Sequence, residues 1–315
     1  MTDLLKAFND MQFDNRDIGY NSRVLIIDAL NTFMRSYSAI PSLDDDGHHI
    51  GGMSGFMKSL GFAIRSFKPT RVVLVFDGKG GSQRRRKIYK EYKANRKPPT
   101  RLNRQYDMTT DEQEKENMKW QLVSLVEMVE CLPVSILALD NIEADDAIAY
   151  FSELVTKKGG TSIIYSTDKD FLQMVSDNVK LYNPVKKKTF DVDIVLETYG
   201  VHPNNFVFYR SLLGDKSDNI DGIKGAGEKT VLKFIPELAD PNIEVNLNLL
   251  EQKYADINID AKMKILHKFE EGCPPLRKAD LTKLMVRTKI IGSIPQYDEW
   301  ITFTFTPLAR YYGKS

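Results

Sequence analysis

The chain has 315 residues, 42% of them apolar and 28% charged, with a formal net charge of +1. This is an ordinary globular composition, long enough for one large domain or two moderate ones, and so balanced a charge points to no partner by its sum. Two cysteines, Cys131 and Cys273, stand far apart in no ligand spacing. That excludes a disulfide framework or zinc site as the organising principle and suits a reducing, cytoplasmic setting.

Residues 1–22 form an N-terminal extension with acids and amides throughout and no apolar core of signal-peptide length. No run approaches the ~20 apolar residues of a membrane span. Three runs then read as buried strands, each leading into carboxylates: RVLIID to Asp28, RVVLVFD to Asp77, and TSIIYSTDKD to Asp168 and Asp170. Continuous β-branched runs suit parallel strands covered on both faces. Helical patterns lie between them, at roughly 52–68, roughly 110–130 and from 147 onward, while VSILAL (134–139) and KLYNP (180–184) add strands. The alternation predicts an α/β fold with a mostly parallel central sheet flanked by helices, whose ligand site lies beyond the carboxyl ends of the strands.

Ahead of the helix at 147, NIEADD places Glu143, Asp145 and Asp146 within four residues. Like charges about 4 Å apart repel by roughly 4 kcal/mol at an effective dielectric near 20. A helix N-terminus favours one or two such acids, by about 0.3–1 kcal/mol each. Three acids exceed that benefit and predict a cation among them. The helical period puts Glu143 in the leading loop or the first turn, with the two aspartates opening the helix.

From 84 to 104 the sequence RRRKIYKEYKANRKPPTRLNR holds ten Lys/Arg and one Glu, with Tyr89 and Tyr92 inside it and Tyr106 just after. A solvated basic helix is the bland reading. Basic charge interleaved with stacking faces points more strongly to nucleic acid. Further on, LLGDKSDNIDGIKGAGEKT sets Asp215 and Asp218 before a turn with Gly222, Gly225 and Gly227, then Lys229. Such glycines let backbone amides approach phosphates, and the turn's carbonyls suit a monovalent cation. Beyond 236 the pattern is mainly helical, ending in a tail without evident chemistry.

The ordered string IIDALNTFMR, VFDGKGGSQRR, YKANR, IEADD, STDKD and LLGDKSDNIDGIKGAGEKT resembles the 5′-nuclease family of flap endonucleases and 5′→3′ exonucleases. The likeness is to its stand-alone bacteriophage enzymes and to the 5′-nuclease domain of bacterial DNA polymerase I. It runs over roughly residues 22–235. The resemblance implies a PIN-like core over 23–190, a basic helical arch at about 82–120, and a mainly helical region over 191–315 containing a helix–three-turn–helix at about 206–235. It also implies two Mg²⁺ ions, replaceable by Mn²⁺. Asp28, Asp77, Glu143 and Asp145 match the first metal site, while Asp146, Asp168, Asp170, Asp215 and Asp218 match the second-metal side.

Lys93 matches the family lysine at the reacting phosphate, Arg35 a basic residue near it, and Asp145 joins them among the catalytic candidates. Arg84, Arg85, Arg86, Lys87, Tyr89, Tyr92, Lys93 and Arg96 fall in the arch as DNA contacts. Gly222, Gly225, Gly227 and Lys229 fall in a duplex grip that holds K⁺. The implied partners are DNA with a 5′ flap, nick or 5′ overhang, RNA/DNA hybrids as for some relatives, and a separate polymerase, sliding clamp or single-strand-binding protein. A monomer in the cytoplasm, of a phage host if the source is a phage, completes the expectation. Asp221 stands where the family's turn commonly has proline. Two other readings stay open: a PIN-like nuclease directed at RNA, and a junction-binding protein without catalysis.

Overall fold

The structure, a computed structural model, describes residues 19, 21–88, 90–96, 110–222, 227–246 and 249. Its centre is a six-stranded sheet of β1 (Arg23–Asp28), β2 (Arg71–Asp77), β3 (Ser135–Leu139), β4 (Thr161–Tyr165), β5 (Val179–Asn183) and β6 (Lys188–Phe190). The order is β3-β2-β1-β4-β5-β6, parallel throughout except for the β5–β6 pair. Each expected strand is present, although β4 stops at Tyr165, so Asp168 and Asp170 lie past its end.

Alternation along β1 explains its unbroken apolar run. Val24 and Ile26 enter one core and Leu25 and Ile27 the other, and all four are buried. Burying each such side chain contributes roughly 1.5–3 kcal/mol, so both faces must be covered. One face is covered by α1 (Ala29–Ala39), α2 (Gly51–Phe67) and α4 (Asp111–Glu130) through Phe33, Phe56, Leu60 and Leu125. The approach of α2 to α1 requires glycine at Gly52, where a Cβ would stand 2.5 Å from the Phe33 ring. Helices α5 (Ala144–Lys157), α6 (Val192–Tyr199), α7 (Phe206–Leu213) and α8 (Glu228–Phe234) contribute Ile148, Val195, Phe206 and Val231 to the other core.

A short α3 (Gln83–Ile88) follows β2, and α4 is closed at its start by a Thr110/Gln113 capping box. A small hairpin of two-residue strands, β7 (Gly214–Asp215) with β8 (Ile220–Asp221), leads from α7 toward α8. Successive crossovers place β2 on one side of β1 and β4 on the other. The chain therefore changes direction between β1 and β4, where ligands of parallel sheets bind. Among the described residues no helix is long and apolar enough to cross a membrane.

Candidate active site

Asp28 ends β1 and at the same time caps α1, its Oδ1 accepting the Asn31 N–H at 3.2 Å. Its Oδ2 accepts the Ser166 hydroxyl at 2.9 Å from just beyond β4, so this carboxyl straddles the direction change. Burial, and then the charge of Asp145, push its pKa up to about 8. Asp77 ends β2 and accepts the Ala144 N–H at 2.8 Å, capping α5 from a different element. Burial raises this carboxyl as well. The charge of Asp145 acts on both Asp28 and Asp77, and that of Asp168 on Asp28.

With Asp77 capping the helix, the Glu143 side chain makes no cap bond, although Glu143 is the N-cap residue of α5. It is 2% exposed and carries three donors: Arg85 Nη1, the Tyr92 hydroxyl at 3.0 Å, and Lys93 Nζ at 2.9 Å. Arg85 also grips both oxygens of Asp146, at 2.8 and 2.6 Å. Burial opposes the charge on Arg85, but Asp146 and Glu143 outweigh it and hold the guanidinium protonated. As expected, Asp145 and Asp146 open the helix and Glu143 leads into it.

The remaining acids come from loops. Asp168 accepts the Asp170 N–H at 2.8 Å, shaping the 3-10 turn Lys169–Met174. Asp170, Asp215 and Asp218 are buried, with one carboxylate oxygen of each inside a 4.8 Å cluster. Arg210 of α7 donates to Asp215 Oδ2 at 2.6 Å and its Nε lies 3.5 Å from Asp170 Oδ1. Arg96 donates to Asp218 Oδ1 at 2.7 Å. Burial raises the Asp218 pKa, against the pull of Lys93 and Arg96. Since the Lys93 charge acts on Asp77 and Asp218 while its ammonium touches Glu143, this lysine joins both groups of acids.

Every acid expected from the sequence thus lies at the carboxyl edge of the sheet or in the loops beside it. The residues of the basic segment divide in their placement. Tyr92 is corrected from a stacking face to an interior support, because its ring is 3% exposed and packs with Ile220. Arg85 and Arg96 pair with acids, while Arg86 and Lys87 are exposed. Arg35 directs its hydrogen bond to Ser59 Oγ of α2, at 3.5 Å, and not to an acid. Arg84 falls in α3; Tyr89 and Gly225 lie outside the described residues. Gly222 is needed for close packing, since a Cβ there would stand 2.0 Å from the Leu213 carbonyl oxygen, while Gly227 and Lys229 are exposed at the start of α8. Arg210 and Ser166 had no distinguishing signal in the sequence, because nothing in a spacing says which side chain meets an acid across the fold.

An all-oxygen set of carboxylates, with Asp28, Glu143, Asp170, Asp215 and Asp218 buried, fits hard divalent cations and is a poor match for zinc. A parallel sheet carrying that set at its carboxyl edge, with lysine and arginine among the acids, defines the class of metal-dependent phosphodiesterases. A family model described as "5'-3' exonuclease, N-terminal resolvase-like domain" matches residues 23–200. A 5'-3' exonuclease of Aquifex aeolicus is 32% identical over 258 residues, covering 81% of this chain and 77% of that protein. The thermostable DNA polymerase I of Thermus thermophilus is also 32% identical, over 78% of this chain but only 28% of the polymerase. In fold, the chain is similar to a bacteriophage T5 flap endonuclease solved with DNA and metal ions, with a TM-score of 0.65 at 20% identity over 91% of this chain and 98% of that one. The chain belongs to the 5'-3' exonuclease family and is a 5′ nuclease.

Proposed function

We propose that the chain is a structure-specific nuclease that hydrolyses phosphodiesters beside a junction between duplex DNA and a 5′ single strand, acting both as flap endonuclease and as 5′→3′ exonuclease. The observation that carries this reading is the convergence of nine carboxylates with Lys93 at the edge of one sheet. Asp28, Asp77, Glu143 and Asp145 would hold one divalent ion; Asp146, Asp168, Asp170, Asp215 and Asp218 would hold a second. Mg²⁺, or Mn²⁺ in its place, would supply Lewis acidity at the scissile phosphate and a hydroxide nucleophile near neutral pH.

The protein's own groups supply the rest. Lys93 keeps an ammonium within 2.9 Å of Glu143, fixed where negative charge grows on the phosphate. Arg86 and Lys87, exposed on α3, offer phosphate contacts to the single strand, and Arg35 remains a candidate for the same task. Gly222, Gly225, Gly227 and Lys229 would grip duplex phosphates without reading sequence, with K⁺ held in the turn. RNA/DNA hybrids fit the same grip. In replication or repair a separate polymerase, with a sliding clamp or single-strand-binding protein, would work beside this monomer.

The test is cleavage of end-labelled 5′-flap DNA, nicked duplex and single-stranded RNA, with and without Mg²⁺. Metal-dependent cutting near the DNA junction is expected. Cleavage of RNA alone would point to an RNA-directed nuclease, and binding without turnover under any divalent ion would point to a junction-binding protein.

A further inference from the structure

The basic segment and the loop leading to the glycine-rich turn are more than 120 positions apart in sequence and are bonded together in the fold. Lys93 N–H donates to the Asp218 carbonyl at 3.1 Å. Arg96 Nη2 reaches Asp218 Oδ1 at 2.7 Å, and Asn95 Nδ2 donates to Asn219 Oδ1 at 2.7 Å. Asn219 Nδ2 in turn donates to the Glu91 carbonyl at 2.9 Å. Beneath these bonds the Tyr92 ring and Ile220 form a small buried cluster of their own.

The backbone is left-handed on both sides of this contact, with φ of 56° at Lys93 and 59° at Asn219. Asparagine accepts that region readily, whereas lysine is seldom found there. A side chain kept in such a conformation needs surroundings that over-determine it. For Lys93 they are the Asp218 carbonyl on its N–H and Glu143 on its Nζ. Asn219 clamps the chain on either side of Lys93, through Glu91 and Asn95, and stands three residues before Gly222.

We infer that Asn219 is a positioning residue that couples engagement of duplex DNA by the glycine-rich turn to the placement of Lys93 at the acids. It acts through the Glu91–Arg96 segment and touches no reacting atom. The inference rests on the proposed function in taking that turn as the duplex-facing element. Substitution Asn219→Gly tests it, because glycine accepts the left-handed backbone and removes the side-chain bonds to Asn95 and Glu91.

Hydrogen exchange is followed first, at amides 91–96 of the metal-free protein with and without a blunt DNA hairpin. Duplex slows exchange in the parent chain and leaves it unchanged in Asn219→Gly. Rapid-quench cleavage of a 5′-flap substrate is the second readout. The single-turnover rate falls roughly 10- to 100-fold, while duplex affinity, measured by anisotropy in Ca²⁺, stays the same. Asn219→Asp, which keeps the acceptor for Asn95, recovers part of the rate. An exchange response absent from the parent chain or preserved in Asn219→Gly overturns the coupling, as does a parallel loss of affinity and rate. Failure of the parent chain to cut any flap would overturn the proposed function instead, and the exchange experiment needs no cleavage.

Discussion

The two flanks of the acid basin tolerate crowded negative charge by different means. Beside β1, Asp28 is held by neutral donors, the Asn31 N–H and the Ser166 hydroxyl, and its pKa rises to about 8. Beside the basic segment and α7, Glu143, Asp146, Asp215 and Asp218 each accept from a cation supplied by Arg85, Lys93, Arg210 or Arg96. One flank relieves repulsion by keeping a proton near neutral pH, the other by ion pairing. Glu143 and Asp146 share the guanidinium of Arg85, so releasing either one breaks an ion pair. The β1 flank is thus held by neutral hydrogen bonds, and the other is tied by ion pairs to the basic segment and to α7.

The largest effect should come from removing a charge shared within the basin. Asp145→Asn or Asp168→Asn should abolish metal-dependent flap cleavage while DNA binding in Ca²⁺ survives, since a neutral amide keeps the shape but weakens ion binding. Retained turnover in single-turnover assays would break the two-flank picture. Lys93→Ala should lower the cleavage rate by roughly 10²–10³-fold, the scale seen when one electrostatic stabiliser of a transition state is lost. A change confined to KM would assign Lys93 to binding alone.

Stability separates the flanks more sharply. Arg85→Gln leaves the buried Glu143 and the half-buried Asp146 without their guanidinium, although Lys93 and Tyr92 still hold Glu143, and should destabilise the metal-free protein by about 1–3 kcal/mol in urea. Added Mg²⁺ should restore much of that loss, and an unchanged urea midpoint would show that Arg85 is not the counter-charge for this flank. The smallest effect belongs to Asp28. Its folded pKa of about 8 lies above the ordinary 3.8, so between these values the folded chain keeps a proton that the unfolded chain has released. Its stabilising contribution is complete below the ordinary value and is lost as pH rises through about 8. The metal-free protein should therefore melt several degrees lower near pH 8 than near pH 5. Asp28→Asn should flatten that slope, and an equal slope in both proteins would remove Asp28 from the account.

Much of this architecture was open to reading before any coordinates. Hydrophobic runs of strand length marked β1, β2 and β4, and a carboxylate stood at or just after the end of each. Because parallel strands bring their carboxyl ends to one edge, linear positions alone collected Asp28, Asp77, Asp168 and Asp170 there. Helical period likewise set Asp145 and Asp146 at the opening of a helix and Glu143 in its leading loop or first turn, and the structure makes Glu143 the N-cap residue. Tyr92 was misjudged because a tyrosine amid lysines looks the same in sequence whether its ring faces solvent or packs under Ile220.

By itself, then, the sequence determined which acids would share an edge, because periodicity and strand direction are local properties that add up along the chain. Only the tertiary structure decided which cation each acid would meet. Arg85 with Asp146, Arg210 with Asp215, and Asn95 with Asn219 are joined by side chains whose destinations depend on packing between elements. No repeat or spacing encodes that packing, since it is the space left by neighbouring elements that determines where a long side chain can go.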